Sequence, residues 1–466
     1  MDQSEYRLIH EYYSSRIRFG FYQQGDTLPS ANQLCSRFKV ARQTVRKAFL
    51  QLQNEGYISV SPGRLATVIY QPSSEEVRCA TRNYFLERKD VIEDVNISTA
   101  LVMYPLLREG CSRLSQQDLA ALDKLLSRPD AELSYASLQC CLGMLEKLHN
   151  PLVIDLYDEA VLYYQFPCFQ KSIDAASSQP SHSSVVIDNL AFCCRKQDRA
   201  GLLKQFLKLQ ERYKQALIGH CNALNDGHRP ALPQVAFQWR VYRDRPQYCY
   251  TLVSKVIHKV MDGAYPEGSF LPSFAGLASA YGVSFSTARR AVALLSALGV
   301  VRSINGRGSQ VHFSEPDLKR LREPATLKNF DMLFQSIELL CLSCDHVIGA
   351  IFPSLCPEGR TSLCAQLRRI SSTQALPQLI YAAIYRLMDA CSLASLRAIC
   401  DKLYEFLFWG YPFLRMEKIS GLEQDAVSLL LKGLENGDAS LYSQGIKVLF
   451  AQASLTIRSA LQGPVI

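Results

Sequence analysis

The sequence predicts a mainly α-helical protein that contains two copies of one arrangement, a small winged helix-turn-helix domain followed by an all-α domain. Residues 20–69 align without a gap with residues 263–312, and 17 of the 50 aligned positions are identical. Such self-similarity indicates an internal duplication. Each aligned block precedes a long segment with few turn signals and with apolar residues at helical spacing, as in residues 202–217 and 441–455.

Four domains are expected, because a single hydrophobic core stops growing at roughly 250 to 300 residues and this chain has 466. The predicted boundaries are 1–77 for the first winged helix, 78–236 for the first all-α domain, 240–314 for the second winged helix and 318–466 for the second all-α domain. The expected linkers are the stretch PSSEE at Ser73 and residues 228–245. Asp198 and Asp438 stand at matching places near the end of each half, which supports the duplication.

The first copy carries the signals of two short helices joined by a tight turn. Ser30 is a good N-cap, and Leu34 and Phe38, four residues apart, give the first helix one apolar face. The turn is expected at residues 39–41. The inward positions of the second helix are Val45, Ala48, Phe49 and Leu52.

The outer face of this second helix is cationic. Its residues are Arg42, Gln43, Arg46 and Lys47, and no acid appears before Glu55. An α-helix fits the major groove of DNA, and arginine is the best reader of guanine because its fork matches O6 and N7. Thr44 and Gln43 are able to bond either phosphate or base. The face therefore indicates double-stranded DNA as the partner.

A two-stranded wing follows the second helix. Gly56 is placed to end that helix as the C′ residue. An apolar strand at residues 57–60, the turn SPGR and a second strand at residues 65–70 then form the ribbon. Arg64 at its tip is positioned for a phosphate or for the minor groove. Helix, turn, helix and ribbon make up the layout of a winged helix-turn-helix.

The combined string G-x-Y-x-x-G-x-x-LPS, V-[AS]-R-x-T-V-R-x-A, L-x-x-x-G and a G-R-G wing resembles the DNA-binding domain of the GntR family of bacterial transcription regulators. The resemblance implies binding through the recognition helix and the wing glycines. It assigns these roles to Arg42, Thr44, Arg46 and Gly63 in the first copy and to Thr287, Arg289, Gly306 and Gly308 in the second. With the remaining polar neighbours, the complete predicted DNA-contacting set is Arg42, Gln43, Thr44, Arg46, Lys47, Gly63, Arg64, Ser286, Thr287, Arg289, Arg290, Gly306, Arg307 and Gly308.

The two copies depart from this pattern at different places. In the second copy Phe285 stands where the first has Arg42, so one expected phosphate or base contact is missing. In the first copy Leu65 stands where the second has Gly308, and leucine restricts a backbone that glycine would let approach DNA closely. We therefore hypothesise that the copies are not equivalent, the first relying more on its helix and the second more on its wing.

The helical segments resemble the all-α FCD class of GntR effector domains in their last two helices. In that family the C-terminal domain usually senses a metabolite and dimerises, so the resemblance implies a small-molecule effector of unknown identity. Many FCD domains hold a metal through histidines. We predict no metal site or cofactor here, because the available histidines lack helical spacing; they are His149, His182, His220, His228 and His346. The aromatic runs 157–169 and 404–413 fit either a core or an effector pocket, and core packing is the simpler interpretation.

Several function classes lack their signatures. There is no P-loop, dinucleotide fingerprint or nucleophile elbow, so we predict that the protein is not an enzyme. The CxxC of Cys341 and Cys344 has no partner pair and lies in an apolar run, so packing explains it better than metal or redox chemistry. The sixteen cysteines lie in apolar surroundings, a usage typical of buried, reduced thiols in a cytosolic protein.

No membrane association is expected. The N-terminus carries acids where a signal peptide needs a cationic region. The best apolar run is interrupted by Asp345 and His346 before the roughly 20 residues of a membrane span. Residues 1–78 carry 10 Lys and Arg against 7 Asp and Glu, and residues 240–313 carry 9 against 3. The net charge of +8 is therefore concentrated in the two winged helices.

These observations predict a cytoplasmic bacterial transcription regulator whose two winged helices bind DNA. One chain already holds two such domains, so it would act as a monomeric pseudo-dimer or as a homodimer with four heads. The rival hypothesis is a protein-interaction scaffold in which one or both winged helices have lost DNA binding. Phe285 and Leu65 favour that rival, because each places an apolar side chain where a DNA contact is expected.

Overall fold

The computed structural model describes residues 3–20, 22–38, 40–127, 133–164, 181–224, 233–239, 248–372, 376–415 and 421–462. Helices make up 74% of it, which confirms the mainly α fold class. The chain forms two compact units. Unit 1 comprises residues 1–100 and 107–246, and unit 2 comprises residues 101–106 and 247–466. The four predicted domain boundaries stay a prediction.

The elements of the first winged helix are α1 (Gln3–Arg18), α2 (Ala31–Phe38), α3 (Arg42–Asn54), β1 (Ile58–Ser59) and β2 (Thr67–Val68). The helices that follow are α4 (Ser74–Leu86), α5 (Ile92–Ser112), α6 (Gln116–Leu126), α7 (Leu133–Glu146), α8 (Pro151–Tyr164), α9 (Ser181–Arg195) and α10 (Arg199–Ala223).

The local signals in the first winged helix act as predicted. Ser30 caps α2: its Oγ accepts a hydrogen bond from the Gln33 backbone N at 3.3 Å, and its own N donates to Gln33 Oε1 at 2.9 Å. Leu34 is buried, and so are the inward positions of α3, namely Val45, Ala48 and Leu52, with Phe49 partly buried. Gly56 ends α3 with a φ of +78°. Lys39 and the side chain of Phe38 lie outside the described residues.

Two features of this domain differ from the prediction. Helix α1, which the two-helix pattern did not include, supplies Tyr13 and Ile17 to the core. The strands are only two residues long, paired as Ile58 with Val68 and Ser59 with Thr67. Regular pairing ends at the base of the wing, because the backbone N atoms of two consecutive residues, 69 and 70, both donate to the Tyr57 carbonyl oxygen.

Both predicted linkers contain ordered structure where they are described. The stretch PSSEE starts α4, since the Oγ of Ser73 accepts from the Glu76 backbone N at 3.2 Å and Glu76 Oε2 accepts from Ser73 N at 2.7 Å. Residues 233–239 of the second linker form a strap that packs on the helices of unit 1. Within it, Trp239 is buried and donates from Nε1 to Asp155 Oδ2 at 2.8 Å. Long-range contacts of this kind leave no local sequence signal.

The second winged helix consists of α11 (Tyr248–Met261), α12 (Phe274–Tyr281), α13 (Phe285–Ala297), β3 (Val301–Ile304) and β4 (Gly308–Val311). The remaining helices of unit 2 are α14 (Leu318–Leu321), α15 (Pro324–Ile351), α16 (Pro357–Ser372), α17 (Leu376–Asp389), α18 (Ala394–Leu407), α19 (Tyr411–Arg415), α20 (Gly421–Asn436) and α21 (Ala439–Gln462), with short 3-10 turns at Phe352–Ser354 and Phe408–Gly410. Among the described residues, the strands of each wing pair antiparallel.

Corresponding aspartates begin the last long helix of each unit. Asp198 Oδ1 accepts from the Gly201 backbone N at 2.8 Å at the start of α10. Asp438 Oδ1 accepts from the Ser440 backbone N at 2.8 Å at the start of α21. The same N-cap at the same place agrees with the duplication.

The expectation that Asp345 and His346 interrupt the apolar run of α15 is wrong. The helix continues through both residues, and Asp345 accepts a hydrogen bond from Lys447 Nζ at 2.6 Å. By length and composition alone, Thr326–Ser354 would suffice to cross a membrane, and 56% of its most apolar window is buried inside the protein. A buried core helix passes the same test.

Candidate nucleic-acid interface

The predicted contact residues of α3 lie on its exposed side. Arg42, Gln43, Arg46 and Lys47 are exposed, and Thr44 is half-buried. The opposite side is fixed by the buried Val45 and Leu52, so the core of the domain determines which face of the helix remains outside. Among the ion pairs between described residues, none engages the cations of this face.

Helix α13 presents a similar face with one exchange. Ser286, Arg289 and Arg290 are exposed and Thr287 is half-buried, as in the first copy. At the first position of the helix, however, Phe285 is 56% exposed. Residues four apart share a helix face, so the phenyl ring and the Arg289 guanidinium lie on the same side.

The two recognition helices begin differently. Ser284 caps α13: its Oγ accepts from the Thr287 backbone N at 3.1 Å and lies 2.8 Å from the Thr287 hydroxyl. Ala41 occupies the matching position before α3 and provides no side-chain cap. The start of α3 therefore has no serine cap, unlike the start of α13.

This difference predicts opposite results for two reciprocal substitutions. We expect Ser284→Ala to lower the free energy of unfolding by about 1 kcal/mol, because an N-cap hydroxyl typically contributes that much. We expect Ala41→Ser to raise it by a similar amount. Urea unfolding monitored by circular dichroism measures both, and equal, near-zero effects would contradict the difference in capping.

The wing tips hold the predicted glycines in the left-handed region. Gly63 and Gly306 both have a φ of +73°, so each tip has a backbone conformation that favours glycine. Arg64 and Arg307 next to them are exposed. Gly308 has a φ of +109°, whereas Leu65 at the matching place is not in the positive region and exposes 47% of its surface.

The outer faces of the two wings differ in polarity. In the second wing, Arg302 Nε donates to Gln310 Oε1 at 3.1 Å, and Gln310 Nε2 donates to the Gly268 carbonyl oxygen at 2.7 Å. In the first wing, Leu65 and Ile69 are exposed on the corresponding face. Sequence reasoning missed Arg302, although its alternation with buried Val301 in the strand was a usable signal.

A small cavity in unit 2 is lined almost entirely by apolar side chains, several of them aromatic. It encloses about 50 Å³, and the lining includes Tyr404 and Phe408 of the second aromatic run and Met261 of α11. The run therefore belongs to the core and also borders a cavity. Residues 165–169 of the first run lie outside the described part of the chain.

His258 of α11 lies beside this cavity and links the winged helix to the other helices of unit 2. Its ring stacks on Phe408 at 5.2 Å, and its Nε2 is 2.9 Å from the Tyr381 hydroxyl. Burial lowers the pKa of His258, and the nearby Asp262 opposes this shift. The neutral imidazole is thus the form that this packing favours.

The described residues contain no cluster of three or more His, Cys, Asp or Glu that could hold a metal ion. The side chains of His182 and His228 lie outside them, so the absence of a metal stays a prediction.

Burial raises the pKa of the Cys341 thiol to about 11 and of Cys344 to about 12. Both are free thiols packed in α15, but Cys79 and Cys356 are exposed, contrary to the expectation of general burial.

Comparison with known proteins identifies the winged helices. The family model described as "Bacterial regulatory proteins, gntR family" matches residues 6–68 and 251–311. YurK of Bacillus subtilis, named an uncharacterized HTH-type transcriptional regulator, is 37% identical over 68 residues, which cover 15% of this chain and 28% of that protein. Rv0494 of Mycobacterium tuberculosis, with the same description, is 25% identical over 196 residues, covering 40% of this chain and 77% of that protein.

The solved structures that match include a GntR family transcriptional regulator from Pseudomonas syringae. It is 19% identical, with 47% of this chain and 86% of that chain covered and a TM-score of 0.22.

Proposed function

Because both winged helices are domains of the bacterial gntR regulatory-protein family, we propose that this chain is a transcription regulator that reads double-stranded DNA with two non-equivalent heads. The first head is residues 1–77 and the second is residues 240–314. Each head would place its recognition helix in the major groove, as helix-turn-helix proteins do.

One observation carries this proposal: each recognition helix presents exposed arginines at the same motif position over a buried apolar side. Arg46 and Arg289 correspond in the alignment and are both exposed. A solvated charged face would also be exposed, but in both copies the arginine follows a half-buried threonine by two residues, as in the family's recognition-helix motif. Thr44 and Thr287 occupy that place.

The heads would read different half-sites. Arg42 gives the first head a second guanine or phosphate contact at the start of its helix. The second head has Phe285 there, and its wing offers Gly308 and Arg302 instead. One chain would then bind an asymmetric site in the bacterial cytoplasm as a monomeric pseudo-dimer. A homodimer with four heads is the alternative stoichiometry.

A small-molecule effector would act on the second helical domain through α11. Met261 of that helix lines the apolar cavity, and His258 packs beside it. At about 50 Å³ the cavity is much smaller than a ligand pocket of roughly 300 Å³ or more, so an effector would have to enlarge it and thereby displace α11. The chemistry of the lining favours an apolar ligand.

The test is selection of bound DNA from a random pool with the wild type, Arg46→Ala and Arg289→Ala, followed by a salt series on the selected site. We expect a two-part site, and each substitution should relax one half of it and weaken binding about tenfold, with a shallower salt slope. The matched control is Arg386→Ala, which removes an exposed cation on α17. It should change neither the selected sequence nor the affinity. A binding stoichiometry of one chain per DNA site would support the monomeric pseudo-dimer.

The scaffold hypothesis is favoured by one observation in the first head. Leu50 on α3 and Leu65 and Ile69 on the wing are exposed, which gives the expected DNA-facing side several apolar residues. If no sequence is enriched at moderate salt, these residues mark a protein-binding surface, and the regulator proposal is wrong.

A further inference from the structure

We propose that Phe285 is a specificity-determining residue that reads the 5-methyl group of thymine in the half-site of the second head. The inference rests on the proposed function, since it assumes that α13 enters the major groove. It assigns the two heads different base preferences at the corresponding place, guanine for Arg42 and thymine for Phe285.

The position of Phe285 argues against a role in the core. The buried side of α13 is formed by Ala288, Ala291, Val292 and Leu295. Phe285 lies at the first residue of the helix with 56% of its surface exposed. Its only aromatic contact among the described residues is with Phe274 of α12, at 5.7 Å between ring centroids and 88° between planes.

That contact orients the exposed ring. Edge-to-face packing against Phe274 restricts the phenyl group at the junction of the two helices of the helix-turn-helix. Arg289, one turn further along the same face, is exposed beside it. The ring is thus a partly fixed apolar group on a face whose other exposed members are polar or cationic.

The chemistry of the major groove selects the ligand for such a group. A phenyl ring offers no strong hydrogen bond, and covering the O6 and N7 of guanine would leave those acceptors unsatisfied. Thymine alone presents an apolar methyl group there, and phenylalanine is one of the side chains that contact it. The substitution that removes an arginine contact therefore supplies a thymine contact.

The test replaces each thymine of the selected site in turn by deoxyuridine, which removes only the methyl group. We expect one thymine in the half-site of the second head to show an affinity loss of about fourfold, the equivalent of one buried methyl group. With Phe285→Ala the same replacement should have no effect. In addition, Phe285→Arg should shift the selected base at this place toward guanine.

The thymines in the half-site of the first head serve as internal controls, and Phe274→Leu tests whether the edge-to-face contact contributes. Sensitivity to deoxyuridine that persists in Phe285→Ala would overturn the inference, and so would the absence of sensitivity anywhere in the second half-site. Either result would leave the proposed function intact if DNA is bound. Failure of the wild type to bind any DNA would overturn both.

Discussion

Replacing Gly299 by alanine is expected to lower the free energy of unfolding of unit 2 by about 2–5 kcal/mol. Gly299 follows α13 with a φ of +70°, where a side chain costs about 1–2 kcal/mol. An added methyl group would also overlap the backbone carbonyl of Ser314, whose N donates to the Gly299 carbonyl oxygen at 2.9 Å. Relieving such an overlap requires backbone movement, which adds about 1–3 kcal/mol.

The duplication supplies the matched control. Gly56 occupies the same place in the first head with a φ of +78°, and nothing lies within 4 Å of the position of an added methyl group. Gly56→Ala should therefore cost only about 1–2 kcal/mol. Urea unfolding of both variants, followed by circular dichroism, separates the cost of the positive φ, which both share, from the cost of the overlap, which only Gly299→Ala has. Equal losses would show that the chain can move away from Gly299 at little cost.

Replacing Trp409 by alanine should destabilise unit 2 by about 3–5 kcal/mol, the usual result of truncating a large buried aromatic residue. Trp409 is fully buried. Its ring lies 5.4 Å from Tyr250 of α11 and 5.8 Å from Phe330 of α15, both in edge-to-face geometry. The loss should therefore loosen the second winged helix as well as the helical core.

Trp409→Phe separates ring packing from hydrogen bonding. The Nε1 of Trp409 has no hydrogen-bond partner among the described residues, so phenylalanine loses only packing volume. Trp239→Phe in the strap also loses the hydrogen bond to Asp155. We expect the Trp239 substitution to cost about 1 kcal/mol more than its volume change explains. A milder effect of Trp409→Ala than of Trp409→Phe would contradict the packing argument.

The parts of the fold that the sequence predicted depend on interactions between near neighbours. Ser30 bonds to a residue three positions away, and Gly56 ends its helix with a positive φ that glycine adopts without steric cost. The duplicated α2 and α3 pattern could therefore be found by spacing alone. The contribution of Tyr13 to the core and the anchoring of Trp239 by Asp155 depend on residues far apart in the sequence, which no local pattern encodes.

The candidate site likewise has features that the sequence predicted and features that depend on contacts between distant residues. The exposed positions of Arg46 and Arg289 follow from helical periodicity once the buried side is known. The pairing of Arg302 with Gln310 requires the strand register, and the orientation of Phe285 requires its contact with Phe274. Comparison of the two copies therefore shows that they differ at residue 285, whereas the orientation of the new side chain follows only from its packing.

The placement of the two tryptophans has an optical consequence. The chain has only two, Trp239 in unit 1 and Trp409 in unit 2, and both are buried. Indole fluorescence shifts to longer wavelength when water reaches the ring, so each half carries one intrinsic emission probe. Replacing either tryptophan by phenylalanine would leave one emitter, in the other half of the chain. A shift of its emission when DNA is added would show that the half with the remaining tryptophan responds to binding.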